Sequence, residues 1–374
     1  MPTKVLKTEE EVRDFVRGCA FFGTGGGGDP KIGLRFLLED LREGKEIKWR
    51  DISEIPEDTV LATPFYMGSI APLTEADKER MRKLGLDEEK EDRVLIEALR
   101  ELEGYTGAKI GAITPFEIGG INTPGPVDAA VRMGLLMVDG DYSGRALPEI
   151  SQGLPAILGK KGIPIATCDR WGNRTVIKEA VNYDVTEFIG KSISLIAFGL
   201  CGQAGMLLQM KEVKDAIIPG TLTRALEVGR AIRNARENNR DSVKAAAEAC
   251  DGWVLFKGKV AKRETEDKEG YFWGTNTIEG IENFSGHTFK IWFKNENHVS
   301  WFDDKPYVAS PDILAVLDLH TGEPITNSDL KKGEVVGVVG VKNEKFRTPE
   351  GISQLGPKHY VFDIEYKPIE ELVK

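Results

Sequence analysis

Apolar positions in the first half of the chain follow two alternating periods. Short aliphatic and β-branched runs at 59–63, 109–114, 135–138 and 163–168 read as buried strands. Between them the apolar residues recur at helical spacing. Ile32, Leu34, Phe36, Leu37, Leu38 and Leu41 make one such stripe, which stops at Gly44. Asp29 followed by Pro30 marks its start, an N-cap acceptor ahead of a proline in the first turn. Further helices are predicted over 9–17, 75–84, 89–103, 124–133 and within 145–158. The order strand, loop, helix, strand predicts an α/β domain with a mostly parallel sheet covered by helices.

The texture changes after Trp171. A helical stretch at 185–197 leads into a small-residue turn at 199–205, and helices are predicted over 221–237 and 241–250. Short strands broken by turns follow, at 253–263, 270–276, 288–293, 299–302 and 334–341. They predict an antiparallel β-domain, a small barrel or sandwich, with a helical insertion. Residues 1–175 and 176–374 are therefore expected to form two domains, and 374 residues supply material for two cores.

Charge narrows the partners. The net charge is −10, from 50 Lys and Arg against 60 Asp and Glu, and the basic residues are scattered. Phosphate contacts need clustered cations, so nucleic acid is not an expected partner. No run is long and apolar enough to span a bilayer, and residues 1–14 resemble neither a signal nor a transit peptide. Cys19, Cys168, Cys201 and Cys250 form no CxxC pair, which points to reduced thiols and a cytoplasmic setting.

The most unusual stretch is Gly23-Thr24-Gly25-Gly26-Gly27-Gly28-Asp29-Pro30. Such a loop lets backbone N–H groups converge on a ligand in front of a helix N-terminus. The alternative is a tight packing turn. Gly23, Gly25 and Gly28 match the dinucleotide spacing, but a glycine run matches that pattern cheaply. Asp29 puts a carboxylate where a phosphate would sit, so no nucleotide is expected.

Ligands of open α/β sheets bind beyond the carboxyl ends of the strands. The residues there are Glu117 and Asn122, then Asp139, Asp141 and Arg145, then Asp169, with Glu149 on the face of Arg145 if a helix starts there. Grouped carboxylates can bind a divalent cation or supply a general base with a raised pKa. Each acid taken alone also fits a turn former or helix cap. His287, His298, His320 and His359 lack zinc-site spacing, and no GxSxG elbow is present. Cys19 and Cys168 read as buried structural thiols before they read as nucleophiles. Asn295-Glu296-Asn297-His298 interrupts an aromatic strand pair, as a hairpin turn or as a polar cluster reaching the domain interface.

Taken in order, the glycine loop, Glu117-Ile118-Gly119-Gly120 with Asn122, and Asp139-Gly140-Asp141 leading to Gly144-Arg145-Ala146-Leu147-Pro148-Glu149 resemble a known family. Pro219-Gly220-Thr221, Asn295-Glu296-Asn297, Pro311-Asp312-Ile313 and Thr321-Gly322-Glu323-Pro324 extend the likeness. The family is that of S-methyl-thiohydantoin desulfurases, associated with hydantoin utilisation. The resemblance implies an N-terminal three-layer α/β domain, a C-terminal β-barrel-like domain, and replacement of a methylthio group on a five-membered cyclic ureide by oxygen.

That chemistry needs a base for water and donors for the developing charge. The expected scheme makes Asp139 or Asp141 the base or a metal ligand, with Glu117 assisting. Gly25, Gly26, Gly27, Gly28 and Asn122 would hold the ring, and Arg145 a carboxylate tail. The expected partner is a small-molecule substrate, and a homo-oligomer is the base-rate expectation. Two rival readings are a nucleotide-dependent enzyme and a non-catalytic accessory subunit of a hydantoinase-like system.

Overall fold

Residues 3–373 are described by the structure, a computed structural model. The first helix, Glu9–Phe22, starts where the Thr8 side chain accepts from the Glu11 N–H, and Asp29 caps Pro30–Arg42 by accepting from Lys31. Glu9–Phe22 lies directly against Thr221–Glu237 of the second half. A Cβ on Gly18 would stand 1.7 Å from the Ala225 carbonyl oxygen, and one on Gly229 would stand 1.7 Å from that of Asp14. Only glycine permits so close a crossing.

Six strands form a mixed sheet in the order Leu136–Met137, Ala112–Ile113, Val60–Gly68, Leu200–Gln209, Ile165–Cys168, Arg174–Ile177. The pairings among the first three strands are parallel, and the remaining three pairings are antiparallel. The expected mostly parallel sheet is thus corrected to a mixed one. The cause is Leu200–Gln209, which comes back from the second half and enters between two strands of the first. Sequence reading expected a small-residue turn at 199–205. Its small residues serve close packing instead, since a Cβ on Gly202 would meet Val94 at 2.7 Å.

The helix expected within 145–158 is the short Leu154–Ile157, preceded by the 3₁₀ turn Ile150–Gln152. Arg145 and Glu149 therefore do not share a helix face.

Seven strands make an antiparallel sheet in the order Lys305–Ala309, Glu296–Phe302, Thr288–Lys294, Tyr271–Gly280, Trp253–Lys268, Val335–Val341, Ile313–Asp318. The sheet curls into a half-barrel, and Asn297 Nδ2 donates to the Leu314 carbonyl across the gap at 2.8 Å. Thr221–Glu237 and Ser242–Ala249 are the helices that precede it. One apolar cluster runs from Phe15 and Leu99 to Leu226 and Val339, so the two halves share a core. Among the described residues, no helix is long and apolar enough to cross a membrane.

Candidate functional site

The glycine loop is gripped on two sides. A Cβ on Gly27 would lie 2.5 Å from Gly119 Cα, one on Gly28 would lie 2.1 Å from Ile121, and one on Gly26 would lie 2.0 Å from Glu296 Oε1. Gly27 accepts from the Ile121 and Asn122 N–H groups at 2.9 and 3.2 Å, and donates its own N–H to Glu296 Oε1 at 3.1 Å. Asn327 N–H donates to the Gly25 carbonyl at 2.6 Å. The loop is the joint between the sheet of the first half and the half-barrel of the second.

At this joint lies a narrow cleft with about 40 Å³ of room, lined by Gly27, Gly28, Glu117, Asn122, Glu187, Lys191, Asn295 and Glu296 among others. It shares Gly28, Tyr66, Ile70, Ile121 and Leu200 with an outer chamber of about 440 Å³. The inner space suits water molecules and the outer one a small organic ligand.

Two carboxyls dominate the cleft. Glu117 is held at both oxygens, by Asn122 Nδ2 and by the Leu147 N–H, each at 2.7 Å. Asn122 is itself fixed, because its Oδ1 accepts from the Tyr66 N–H at 2.7 Å. Glu296 has one oxygen on Gly27, while its Oε2 is buried without a hydrogen-bond partner in the protein. Burial pushes Glu117 well above the usual carboxylate range, and the neighbouring Glu296 charge adds to the rise. Burial likewise raises Glu296 to about 7, against the Gly27 N–H and the charges of Arg145 and Lys191. Two such groups titrate as a pair, because a charge on Glu296 makes ionisation of Glu117 harder.

Cations and further acids stand beside the pair. Lys191 donates to the Gly68 carbonyl at 3.3 Å and lies 3.8 Å from Glu187. Glu187 accepts from Tyr271 Oη and from the Ile150 N–H, each at 2.9 Å, and burial raises its pKa. Glu149 pairs with Lys294 and lies 3.1 Å from His359 Nε2. Burial would lift Glu149, but His359 and Lys294 outweigh it and hold the carboxyl at about 2.

Of the residues expected from sequence, Glu117, Asn122, Gly27 and Gly28 meet in this cleft. Gly25 and Gly26 lie behind it, packed on Asn327 and Glu296. Asp139 is outside the cleft lining and accepts from the Leu222 and Thr223 N–H groups, both at 3.1 Å, and from the Thr223 hydroxyl at 2.5 Å. It caps the helix Thr221–Glu237. Asp141 turns the chain by accepting from the Ser143 and Gly144 N–H groups at 2.9 and 2.8 Å, and burial raises it to about 6. Asp169 does the same for Trp171 and Asn173. Arg145 is fully buried and spends its donors on the carbonyls of Ala146, Asp312 and Asn297. Among the described residues, no three His, Cys, Asp or Glu side chains gather to hold a metal ion. The four cysteines are free and buried.

Sequence reasoning left Lys191, Glu187 and Glu296 outside its chosen site. Glu296 carried a signal, since its polar cluster interrupts an aromatic strand pair. It is both a turn and an interface: Asn295 occupies a left-handed corner at φ +54°, and its amide reaches the Gly68 carbonyl at 3.3 Å.

A mixed sheet joined to a half-barrel, with two buried carboxyls lining a cleft at the seam, defines a mixed α/β protein. Its sequence matches the S-Me-THD-like N-terminal domain over residues 10–179 and the S-Me-THD-like C-terminal domain over residues 181–369. The chain belongs to the S-methyl-thiohydantoin desulfurase family. It is similar in fold to the X-ray crystal structure of a protein from Chromobacterium violaceum, a Northeast Structural Genomics Consortium target. That likeness has a TM-score of 0.76 at 18% identity and covers 98% of this chain and 100% of the other. No curated protein matches the chain.

Proposed function

We propose that the protein is an enzyme that hydrolyses a small five-membered cyclic ureide of the S-methyl thiohydantoin type. The observation that carries this reading is the buried pair Glu117 and Glu296, in a cleft that shares lining residues with a larger chamber of a size that suits the ring. Water in the inner cleft loses a proton to the ionised member of the pair while its oxygen bonds to the ring carbon that carries sulfur. That carbon becomes tetrahedral, and the C–S bond then breaks with its electron pair on sulfur. The products are the ring carbonyl compound and a thiol.

Asn122 positions Glu117, and Gly27 positions Glu296, so both carboxyls are oriented before substrate arrives. In this scheme Asp139, Asp141 and Arg145 build the joint on which the cleft rests. General-base catalysis contributes about 10²–10⁴-fold. Thiol release from S-methyl thiohydantoins by the purified protein tests the reading. Release that falls by that factor in Glu117→Gln supports it, and absence of release from every such ring refutes it.

A further inference from the structure

The helix Tyr183–Ile196 is amphipathic in the reverse sense. Phe188, Leu195 and Ile196 are 72%, 55% and 72% exposed, whereas Glu187, Gly190, Lys191 and Ser194 are buried. Gly190 lets the helix approach the sheet, since a Cβ there would meet Met67 Sδ at 2.5 Å. The outcome is a lysine side chain only 6% exposed that lines the cleft beside Glu296. Burying an ammonium is costly unless it is well paired. Lys191 is paired thinly. Its one hydrogen bond goes to the Gly68 carbonyl at 3.3 Å, Glu187 is 3.8 Å away, and the Tyr271 ring centroid is 4.0 Å away. Glu187 is itself engaged by Tyr271 and Ile150. An ammonium has three donors, so Lys191 has capacity left for a group in the cleft.

We propose that Lys191 is a catalytic residue of this cleft, the acid that protonates the departing sulfur. The inference rests on the hydrolytic reading above and completes its proton balance. As the C–S bond breaks, its electron pair stays on sulfur, and a proton passes from Lys191 Nζ to that sulfur to give the neutral thiol. The amine regains a proton from the Glu117–Glu296 pair, which took one from water, so each turnover consumes one water and releases one thiol.

The surroundings suit an amine that changes protonation state. Burial lowers the Lys191 pKa, and the nearby Lys294 lowers it further, while Glu187, Glu296 and Glu149 oppose that change. Tyr271 faces it as a neutral ring, since burial raises that hydroxyl far out of range. A lysine suits this work where an arginine would not, because a guanidinium keeps its proton.

S-Methylisothiourea tests the inference on the unmutated protein. It carries the same sulfur-bearing carbon between two nitrogens, and only a neutral amine attacks it, expelling methanethiol and leaving a guanidine on the lysine. At neutral pH we expect Lys191 to be modified ahead of the exposed lysines, with loss of turnover and protection by a bound hydantoin. Modification of Lys191 no faster than the exposed lysines would overturn the proposal.

Kinetics supply the second arm. We expect Lys191→Met to lower kcat by about 10²–10⁴-fold with little change in KM, and methylamine to restore part of the loss. In Lys191→Arg, which keeps the charge but not the transferable proton, we expect a loss like that of Lys191→Met, and near wild-type turnover there would overturn the role. Wild-type thiol release together with a Lys191→Met kcat within twofold refutes the role of Lys191 alone. Absence of wild-type release refutes the hydrolytic reading, and the proposal with it.

Discussion

Gly27 donates its backbone N–H to Glu296 Oε1 at 3.1 Å, so a loop of the first half holds a carboxylate of the second. A glycine run can offer its amides to an external anion. Here one of them binds an acid of the same chain, and the loop serves as a clamp at the rim of the cleft.

Gly26→Ala tests the clamp. The new Cβ would fall 2.0 Å from Glu296 Oε1, at the far end of a side chain that can swing away. We expect turnover to fall at least tenfold while the melting temperature changes by only a few degrees, on the order of a 1 kcal/mol effect. A large stability loss with unchanged turnover per folded molecule would contradict a clamp that serves catalysis.

Glu296 also sets a pH dependence of stability. Its ordinary value of 4.5 applies to the unfolded chain, and the fold raises it to about 7. The folded state therefore binds more protons between those values. Its contribution is complete below about pH 4.5 and is lost as pH rises through about 7. Asp141, raised to about 6, acts in the same direction. Glu296→Gln should flatten the fall in melting temperature over this window, and an unchanged slope would show that Glu296 titrates normally.

Asp139 should behave as a cap. Asp139→Ala removes three accepted hydrogen bonds at the start of Thr221–Glu237. We expect a cost of about 1–3 kcal/mol in urea unfolding, with kcat of the folded protein within a few-fold of wild type. A kcat loss of a hundredfold without destabilisation would restore Asp139 to a chemical role.

The legible and illegible parts of this molecule differ in the range of their contacts. Helices fixed by local signals were readable: Asp29-Pro30 opens Pro30–Arg42, and the expected 124–133 is Pro124–Met133. Glu117 and Asn122 were readable because both follow the strand Ala112–Ile113 directly. Asp139 follows its strand in the same way, yet its oxygens go to Leu222 and Thr223, eighty-odd residues along the chain. Nothing near Asp139 in sequence signals that partner. Leu200–Gln209 was hidden because its small residues, chosen for close packing, resemble a turn. Lys191 and Glu187 were hidden because their helix turns its polar side inward, against the usual rule for a surface helix.

Thiol release from an S-methyl thiohydantoin reads out the role of Glu117 and Glu296. Measured across pH for wild type, Glu117→Gln and Glu296→Gln, we expect turnover by wild type and a loss of about 10²–10⁴-fold in each variant. Both variants should keep a folded-state melting profile. Wild-type rates in both variants would show that neither carboxyl takes part in the chemistry.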